Sequence, residues 1–327
     1  MRAVRLHHAG PPQVLTVEDV PAPGPPRGAQ VLLRVAASSV NGTDLGLRRG
    51  AAGPLAWGRL PMTMGFDLSA TVVAVGPAVT AFAPGDRVIG LLDHGGGAQA
   101  ELAVVDQSRL AHAPTTVPLT HAAALPLAGL TALQALHARA HLPARPPGTR
   151  VLVVGATGGI GAYAVQLAAL AGAHVSALAR RDALEVAADL GAHELLARED
   201  NPLAGPSRWD VVLDTAGALT GAQLPGVLAP GGTAVSVRPL DPRLLRAAAA
   251  SRLRRLTRAD PPGAAATVTA VATRARSQDL TRLARLVDAG HLRLPVHTVL
   301  DVTHAAHAHQ LAESSTPGKI VITLPRT

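Results

Sequence analysis

Residues 150–161, Arg-Val-Leu-Val-Val-Gly-Ala-Thr-Gly-Gly-Ile-Gly, read as a buried β-strand that runs through a glycine turn into a helix. Val151 to Val154 form an apolar run typical of a strand covered on both faces. A Cβ at Gly158 would hold the backbone away from a pyrophosphate, and a Cβ at Gly161 would separate helix from strand. Free N–H groups at a helix start attract anions. The stretch therefore predicts a dinucleotide-binding turn, made by Thr157, Gly158, Gly159, Ile160 and Gly161.

The turn departs from the usual G-x-G-x-x-G pattern, because Ala156 stands at the position of the first glycine. A second strand at His174 to Leu178 supports the pattern, since it completes a βαβ unit of roughly 30 residues. The alternative is a tight strand-to-helix turn that binds no ligand. We expect this unit to begin a doubly wound parallel Rossmann sheet.

The end of the second strand indicates which dinucleotide is bound. NAD-binding folds place a carboxylate there for the ribose hydroxyls, whereas this chain has Arg180 and Arg181. Two guanidinium groups attract a 2′-phosphate, so the sequence favours NADPH over NADH. We interpret Asp182 as the N-cap of the next helix, at 183–190. The alternative for the two arginines is a solvated helix start.

Length and composition limit the class of protein. The chain has 327 residues, of which 48% are hydrophobic, enough for two domains with separate cores. It has no cysteine, which excludes disulfides, thiolate metal sites and a cysteine nucleophile. Two uncharged stretches, Val151 to Ala179 and Leu110 to Ala138, contain glycines or prolines and are interpreted as buried structure, not membrane spans. The N-terminus has no apolar signal-peptide core, so a cytoplasmic location is expected.

The net charge of +8 permits attraction to anionic partners. Arginines between Arg238 and Arg285 supply much of it, including positions 243, 246, 252, 254, 255, 258, 274 and 276. The chain has only two Trp, one Tyr and two Phe, whereas proteins that bind single-stranded nucleic acid use aromatic stacking. We therefore expect a solvated helical face, or a rim that attracts an acidic substrate.

The chain shows two kinds of hydrophobic pattern. Short β-type segments between proline- and glycine-rich turns fill the N-terminal part and predict a mainly antiparallel, barrel-like domain. Helices and strands alternate in the middle of the chain, as in a parallel α/β sheet. The tail returns to strands around a helix at Thr303 to Glu313, and we expect it to fold back on the first domain. The predicted division is 1–122 with 273–327 for the substrate domain, and 123–272 for the Rossmann domain.

In this order, the segments resemble the medium-chain dehydrogenase/reductase superfamily, most closely its zinc-free quinone oxidoreductase branch, the zeta-crystallin-like proteins. The likeness covers nearly the full length. The motifs are Val40-Asn41-Gly42-Thr43-Asp44, Gly65-Phe66-Asp67, Phe82 to Val88, Gly97 to Glu101, Ala122 to Pro126, Gly129 to Ala132, the glycine turn, and Pro317-Gly318-Lys319-Ile320-Val321. The resemblance implies a GroES-like fold for the substrate domain, and a homodimer through the last cofactor-domain strand, at Thr267 to Ala272.

The positions of the zinc ligands in metal-dependent relatives differ in this chain. Those relatives have a cysteine at the position of Asn41 and a Gly-His-Glu at the position of Gly65-Phe66-Asp67. Asn41 and Phe66 cannot replace a thiolate and an imidazole, so no catalytic zinc is expected.

The resemblance implies that NADPH delivers hydride to a quinone or an α,β-unsaturated carbonyl, whose enolate oxygen needs a nearby donor. Asn41 is the candidate donor, to the carbonyl or to the nicotinamide ribose, and Asp44 is a candidate to orient it. The alternatives are that Asn41 caps a turn and Asp44 starts a helix. Thr131 and Lys319 resemble residues that approach the cofactor in this family.

The tyrosines usual in quinone oxidoreductases are absent, with Gly46 and Trp57 in those neighbourhoods. The proton donor is therefore open between water, Asp67, Asp93 and His94, although Asp67 and His94 also fit a structural or exposed role. The histidines 304, 307 and 309 are interpreted as a solvated helix rather than a metal site.

Three functions remain open from the sequence. The first is an NADPH-dependent, metal-free reductase of enones or quinones, with a link to natural-product tailoring suggested by the unusual segment at 47–64. The second is a non-redox member of the fold, catalysing cyclisation or dehydration or binding a ligand, with NADPH as a structural part. The third is nucleic-acid binding, which the scarcity of aromatic residues disfavours.

Overall fold

The structure is a computed structural model, and it describes residues 1–51, 60–93, 95–204, 208–219, 223–238, 246, 248–250, 266–314 and 316–325. The chain divides into two compact units, which we call unit 1 (Met1–Leu130 with Arg274–Thr327) and unit 2 (Thr131–Thr273). The domain boundary predicted at residue 122 lies a few residues before this division and stays a prediction. Within the described ranges, no helix is long and apolar enough to cross a membrane.

Unit 1 consists mainly of antiparallel strands. They are β1 (Arg2–Leu6), β2 (Leu15–Asp19), β3 (Gln30–Ser39), β4 (Met62–Thr63), β5 (Asp67–Val75), β6 (Arg87–Leu91), β7 (Leu102–Asp106), β8 (Leu110–His112), β15 (Val296–Asp301) and β16 (Lys319–Thr323). One sheet has the order β2-β1-β4, and a seven-stranded sheet has the order β15-β16-β3-β5-β6-β8, with β7 paired to β3. Apolar residues of both sheets share one core, among them Leu6, Leu33 and Leu68. The predicted mainly β domain is thereby confirmed.

The C-terminal tail supplies two strands of the larger sheet, as expected. β16 pairs antiparallel with β3, with Val321 opposite Ser39, and β15 runs parallel to β16. On its other side β3 pairs with β5, where Ser39 lies opposite Asp67. The carboxyl end of β3 therefore lies between the strands that begin with Lys319 and Asp67.

The α-helices whose bounds fall within the described residues are α1 (Gly42–Arg48), α2 (Leu119–Ala122), α3 (Pro126–Gln134), α4 (Gly159–Leu170), α5 (Leu184–Asp189), α6 (Leu224–Val227), α7 (Ser277–Asp288) and α8 (Ala305–Glu313). The amphipathic helix α7 buries Leu280, Leu283 and Val287 on one face, at helical spacing. Gly290, predicted as its C-terminal stop, has φ +73°, the left-handed conformation that ends many helices.

Unit 2 is a six-stranded parallel sheet with helices between its strands. Its strands are β9 (Arg150–Val154), β10 (His174–Ala179), β11 (Glu194–Ala197), β12 (Trp209–Asp214), β13 (Leu228–Ser236) and β14 (Thr267–Ala270). The order is β11-β10-β9-β12-β13-β14, and every pairing is parallel. In order along the chain this is 3-2-1-4-5-6, the arrangement of the Rossmann fold. The predicted doubly wound sheet is confirmed.

The helix predicted at 219–228 is much shorter in the structure, where only Leu224–Val227 is helical and residues 220–222 lie outside the described part. The Asp214 carboxylate explains the difference. It accepts hydrogen bonds from the backbone N–H groups of four successive residues, from Ala216 to Leu219, at 2.8–3.2 Å. This side chain holds the backbone after β12 in a turn and competes with helix formation.

Candidate functional site

The glycine turn of unit 2 has the predicted strand-turn-helix geometry. β9 ends at Val154, and Gly155 follows with φ +75°, which favours glycine. Gly158 is the N-cap of α4 in extended conformation, with φ −72° and ψ 172°. The first N–H groups of α4 have no carbonyl partner within the helix, so a negatively charged group is attracted to this end.

Two glycines of the turn have different structural constraints. A Cβ on Gly161 would lie 2.1 Å from the carbonyl oxygen of Gly155, so this position requires glycine for the turn itself. A Cβ on Gly158 would lie 3.3 Å from the same oxygen, a tight contact that a small shift relieves. An added Cβ therefore has room at Gly158 after a small shift, whereas it has none at Gly161. A glycine at 158 is what close approach of a pyrophosphate requires, and the turn fits a dinucleotide.

The two arginines after β10 differ in how they are bound within unit 2. Arg181 Nη2 forms an ion pair with Asp200, and its backbone N–H donates to Glu199 Oε2 at 3.1 Å. Arg180 Nη2 lies 3.4 Å from Asp182 Oδ2, and both side chains are partly exposed. Arg180 is therefore the less tightly held of the two cations.

The prediction that Asp182 caps the next helix is wrong. Asp182 lies inside a short 3-10 helix, Arg181–Ala183, and Ala183 is the N-cap residue of α5. The Asp182 carboxylate is directed toward the Arg180 guanidinium instead of backbone N–H groups. Attraction between the two charges explains the difference.

Thr131, which resembles a cofactor-contacting residue, is 3% exposed at the start of unit 2. Its Oγ1 lies 2.7 Å from Thr273 Oγ1. This hydrogen bond joins the first and last residues of the unit. A contact of Thr131 with the cofactor stays a prediction.

In unit 1, the structure brings four of the predicted residues into one buried polar cluster, formed by Asn41, Asp44, Asp67 and Lys319. Asn41 is the N-cap residue of α1, and its backbone N–H donates to Asp44 Oδ2 at 2.9 Å. Asn41 Nδ2 donates to Asp67 Oδ2 at 2.8 Å, and Lys319 Nζ donates to Asn41 Oδ1. Both polar atoms of the Asn41 side chain therefore have partners within unit 1.

Asp67 is completely buried and is the most heavily hydrogen-bonded carboxylate of the cluster. Its Oδ1 accepts from the Leu127 N–H at 2.6 Å, near the start of α3. Its Oδ2 accepts from Asn41 and from the Ser39 hydroxyl, and lies 3.5 Å from Lys319 Nζ. Every one of these groups is a donor, so the geometry fits the ionised carboxylate. The exposed role considered for Asp67 is wrong.

Asp44 differs from Asp67 although both are fully buried. Only its Oδ2 has a hydrogen-bond partner, and its Oδ1 is buried without one. Burial raises the pKa of the Asp44 carboxyl from 3.8 to about 7, and the negative charge of Asp67 adds to this shift. Asp44 therefore starts α1 in a capping box: its carboxylate accepts from the Asn41 backbone N–H, and the Asn41 side chain accepts from the Asp44 backbone N–H.

Lys319 is 3% exposed, at the start of β16. Besides Asn41 Oδ1, its Nζ contacts the Val40 carbonyl oxygen at 3.2 Å and Asp67 Oδ2 at 3.5 Å. Burial lowers the pKa of this ammonium, while Asp67 and Asp44 oppose that shift. Lys319 is thus directed at oxygens of unit 1, and this geometry gives its predicted cofactor contact no support.

The sequence reasoning missed Ser39 and the Leu127 N–H. Ser39 could have been found from its position two residues before Asn41, because in an extended strand residues two apart have their side chains on the same face. Of the proton-donor candidates, Asp93 is exposed and pairs with Arg109 at 3.5 Å. His94, Trp57 and the arginines at 243, 252, 254, 255 and 258 lie outside the described residues.

The histidines and carboxylates of the described part of the chain bear on the predicted absence of a metal site. There, no group of three or more His, Asp or Glu side chains is placed to hold a metal ion. His304 and His307 are exposed on the α8 side of unit 1, as expected, but the solvated role is wrong for His309. His309 is fully buried, because it lies on the buried face of α8 with Ala305 and Ala308, and the Arg48 Nε donates to its Nδ1 at 3.3 Å.

Comparisons with known proteins agree with this fold. The family model described as alcohol dehydrogenase GroES-like domain matches residues 27–115, and the one described as zinc-binding dehydrogenase matches residues 190–322. The solved structure of the quinone oxidoreductase from Coxiella burnetii superimposes with a TM-score of 0.87 at 28% identity, covering 99% of each chain.

Two plant proteins are similar in sequence. The chain is 37% identical over 232 residues to the chloroplast envelope quinone oxidoreductase homolog of Arabidopsis thaliana, covering 68% of this chain and 70% of that protein. It is 33% identical over 262 residues to the chloroplastic quinone-oxidoreductase QR1 of Triphysaria versicolor, covering 77% and 79%.

Proposed function

Because the chain belongs to the medium-chain dehydrogenase/reductase superfamily, in its quinone oxidoreductase branch, we propose that it is an NADPH-dependent, metal-free reductase of quinones, enones or related activated double bonds. The chain is an oxidoreductase of this family that acts on small molecules. The observation that carries the finer proposal is the glycine turn of unit 2 with Arg180 after the second strand.

Unit 2 contributes the nucleotide site in this proposal. The N–H groups at the start of α4 hold the pyrophosphate, and Gly158 allows the backbone to approach it. Arg180 attracts the 2′-phosphate, because its guanidinium is held only loosely by Asp182. NADPH, when bound, supplies the hydride.

Unit 1 contributes a polar cluster that needs no metal. The Asp67 carboxylate has donors on both oxygens, and the Asn41 amide is bound at both its oxygen and its nitrogen. A metal ion would have to replace these hydrogen bonds, and it would displace the Lys319 ammonium by charge repulsion. The same cluster is suited to stabilise negative charge that develops on a substrate oxygen.

The remaining expectations stay predictions. The cytoplasmic location and the homodimer rest on sequence pattern and on resemblance. A natural-product substrate was suggested by residues 47–64, of which 52–59 lie outside the described part. The non-redox function and nucleic-acid binding are outcomes that the experiment below separates from reduction.

The test is NADPH oxidation, followed by absorbance, across quinones, enones and enoyl thioesters, with NADPH binding followed in parallel by fluorescence. We expect turnover with at least one acceptor class, and a much lower rate with NADH. The Gly158→Ala variant is the matched control, since it leaves unit 1 unchanged and obstructs the pyrophosphate. NADPH binding without turnover of any acceptor would replace this proposal by the non-redox function, and absence of NADPH binding would remove both.

A further inference from the structure

Lys319 is unusual in both composition and burial. The sequence contains 30 lysine and arginine residues, and Lys319 is the only lysine among them. Lysine is one of the residues most rarely buried, yet this one is 3% exposed. The single lysine of the chain therefore lies where its charge needs compensation from the protein.

The strand register places Lys319 opposite Asn41. Val321 lies opposite Ser39 in the antiparallel pairing of β16 and β3, so the same register continues to Lys319 and Asn41. The Ile320 carbonyl accepts from the Val40 N–H at 2.9 Å and supports this alignment. A lysine ammonium has three N–H bonds, and Nζ has hydrogen-bond partners on Val40 and Asn41 and an ion-pair contact with Asp67 at 3.5 Å. The ammonium therefore has two hydrogen bonds and a buried counter-ion.

Asp67 completes the arrangement from the other side of β3. The Asn41 amide lies between the two charges, with its oxygen toward Lys319 and its nitrogen toward Asp67. The flipped amide would face its oxygen to a carboxylate and its NH2 group to an ammonium, which is electrostatically unfavourable. The two charges therefore fix the orientation of the amide.

The same arrangement polarises the amide. A cation at Oδ1 and an anion at one N–H draw electron density along the group, and hydrogen bonds in such a chain strengthen one another. One Nδ2 hydrogen is directed to Asp67 at 2.8 Å. For the second hydrogen, the contacts of Nδ2 are Ser39 O at 3.4 Å and Ser39 Oγ at 3.5 Å, beyond the usual hydrogen-bond range. Asn41 is also the most exposed member of the cluster, at 7%.

We propose that Lys319 is a positioning residue for the proposed reduction: with Asp67, it orients and polarises the Asn41 amide, so that the second Nδ2 hydrogen is the cluster's donor to a ligand oxygen. The inference rests on the proposed function for the reaction that this donor serves. The ligand oxygen is a carbonyl or hydroxyl group, supplied by the acceptor or by the cofactor. Lys319 itself does not touch the ligand in this role.

The first test observes the amide directly and requires no turnover. Asn41 and Asn201 are the only asparagines in the sequence, and Asn201 is exposed. Protein labelled with [15N]asparagine therefore shows two side-chain NH2 groups by NMR, with Asn201 as internal control. We expect the Asn41 amide to exchange more slowly than that of Asn201, and Lys319→Met to shift only the Asn41 signals. Unchanged Asn41 signals in Lys319→Met would overturn the proposal.

Adding ligands to the same labelled protein shows whether the cofactor or the acceptor supplies the oxygen that Asn41 binds. NADP+ alone and 2-cyclohexen-1-one alone are each added to labelled wild-type protein. A shift of the Asn41 NH2 signals with NADP+ assigns a cofactor hydroxyl, and a shift with the enone assigns the acceptor carbonyl. No shift with either ligand, while NADP+ binding is detected by isothermal titration calorimetry, would overturn the assignment of this donor.

The second test is a double-mutant cycle on kcat/KM. Asn41→Ala and Lys319→Met should each lower kcat/KM roughly tenfold to hundredfold, the loss expected for a charge-assisted hydrogen bond. Because Lys319 acts through Asn41, the double variant should lose little more than Asn41→Ala alone. If the loss of kcat/KM in the double variant equals the product of the two single losses, Lys319 acts independently of Asn41, and the proposal is wrong. Thr323→Val is the control on the same strand, since it removes a hydrogen bond to Leu300 away from the cluster.

Loss of the Lys319 charge leaves Asp67 buried without its counter-ion and can prevent folding. In that case, the charge-neutral double variant Lys319→Met/Asp67→Ser, which adds no third asparagine, is used for the NMR comparison, with the same expected shift of the Asn41 signals. Wild-type protein that turns over no acceptor refutes the proposed function, while the NMR result still decides whether Lys319 controls the amide.

Discussion

A Cβ on Gly161 would lie 2.1 Å from the carbonyl oxygen of Gly155, at the point where β9 turns into α4. The contact is between backbone atoms and an obligatory side-chain atom, so no rotamer change relieves it. Gly158, three residues earlier, meets the same oxygen at 3.3 Å and has φ −72°, which any residue adopts. One glycine is thus required by the fold, and the other by what the turn binds.

These two glycines predict opposite consequences for the same substitution. Gly161→Ala should lower the free energy of unfolding by several kcal/mol, about the cost of a severe overpacking change. Gly158→Ala should change the free energy of unfolding by less than about 1 kcal/mol and weaken NADPH binding at least tenfold. Urea unfolding and fluorescence titration measure both quantities. Equal NADPH affinity in Gly158→Ala and wild type would show that no pyrophosphate approaches this backbone.

The preference for NADPH depends on Arg180. Arg180→Ala should raise the Kd for NADPH roughly tenfold to hundredfold, the loss of one charge-assisted contact, and leave the Kd for NADH nearly unchanged. Arg181→Ala is the matched control, because the Arg181 guanidinium is already paired with Asp200. Asp182→Asn should tighten NADPH binding, since it removes the carboxylate that competes for Arg180. An equal loss for NADPH and NADH in Arg180→Ala would refute the phosphate assignment.

Arg48 and Arg49 share one carboxylate but should differ in their effect on stability. Both pair with Glu313, yet the Arg48 side chain is 1% exposed and the Arg49 side chain 55%. Arg48 also donates to the Gly10 carbonyl and to His309. Arg48→Met removes a buried cation and leaves the Gly10 carbonyl and His309 Nδ1 without this donor, so it should cost about 3 kcal/mol or more, whereas Arg49→Met should cost less than about 1 kcal/mol. Similar midpoints of denaturation for the two variants would contradict this difference.

The sequence predicted most of the fold, because periodicity and glycine placement are local signals. The apolar run Val151 to Val154 and the glycines after it specify strand, turn and helix from a dozen residues. The parallel order of the Rossmann sheet follows from the alternation of helices and strands. The helix predicted at 219–228 is much shorter in the structure. The Asp214 side chain holds the backbone after β12, and hydrophobic periodicity does not reveal such a contact.

The residues of the candidate site could be named from the sequence, but the contacts between them could not. Asn41, Asp44, Asp67 and Lys319 were selected by resemblance, yet Lys319 and Asn41 are 278 positions apart in the chain. Their contact depends on the register of β16 against β3, which no local pattern specifies. His309 was misread for a related reason. His309 lies on the buried face of α8, where Arg48 reaches it from α1, a contact between distant segments that local spacing does not reveal.

Asp44 and His309 have pKa shifts whose effects on stability oppose each other. The pKa of Asp44 is raised from 3.8 to about 7, so between these values the folded protein holds a proton that the unfolded chain has lost. This contribution lowers the free energy of unfolding as pH rises. Burial, with the charge of Arg48, lowers the pKa of His309 from 6.5 to about 3. Between these two pKa values the unfolded chain holds a proton that the folded protein has lost, so this contribution raises the free energy of unfolding as pH rises.

Single substitutions should separate the two contributions, which largely cancel in the wild type between pH about 4 and about 6.5. Relative to wild type, Asp44→Asn should gain stability with rising pH by up to about 1.4 kcal/mol per pH unit, because only the His309 contribution remains. His309→Asn, whose Oδ1 can accept the Arg48 hydrogen bond, should lose stability with rising pH by a similar slope. Urea unfolding at several pH values in this range measures both slopes, and the double variant should follow the wild type. Curves for both single variants that run parallel to the wild type would show that neither group changes its protonation on folding.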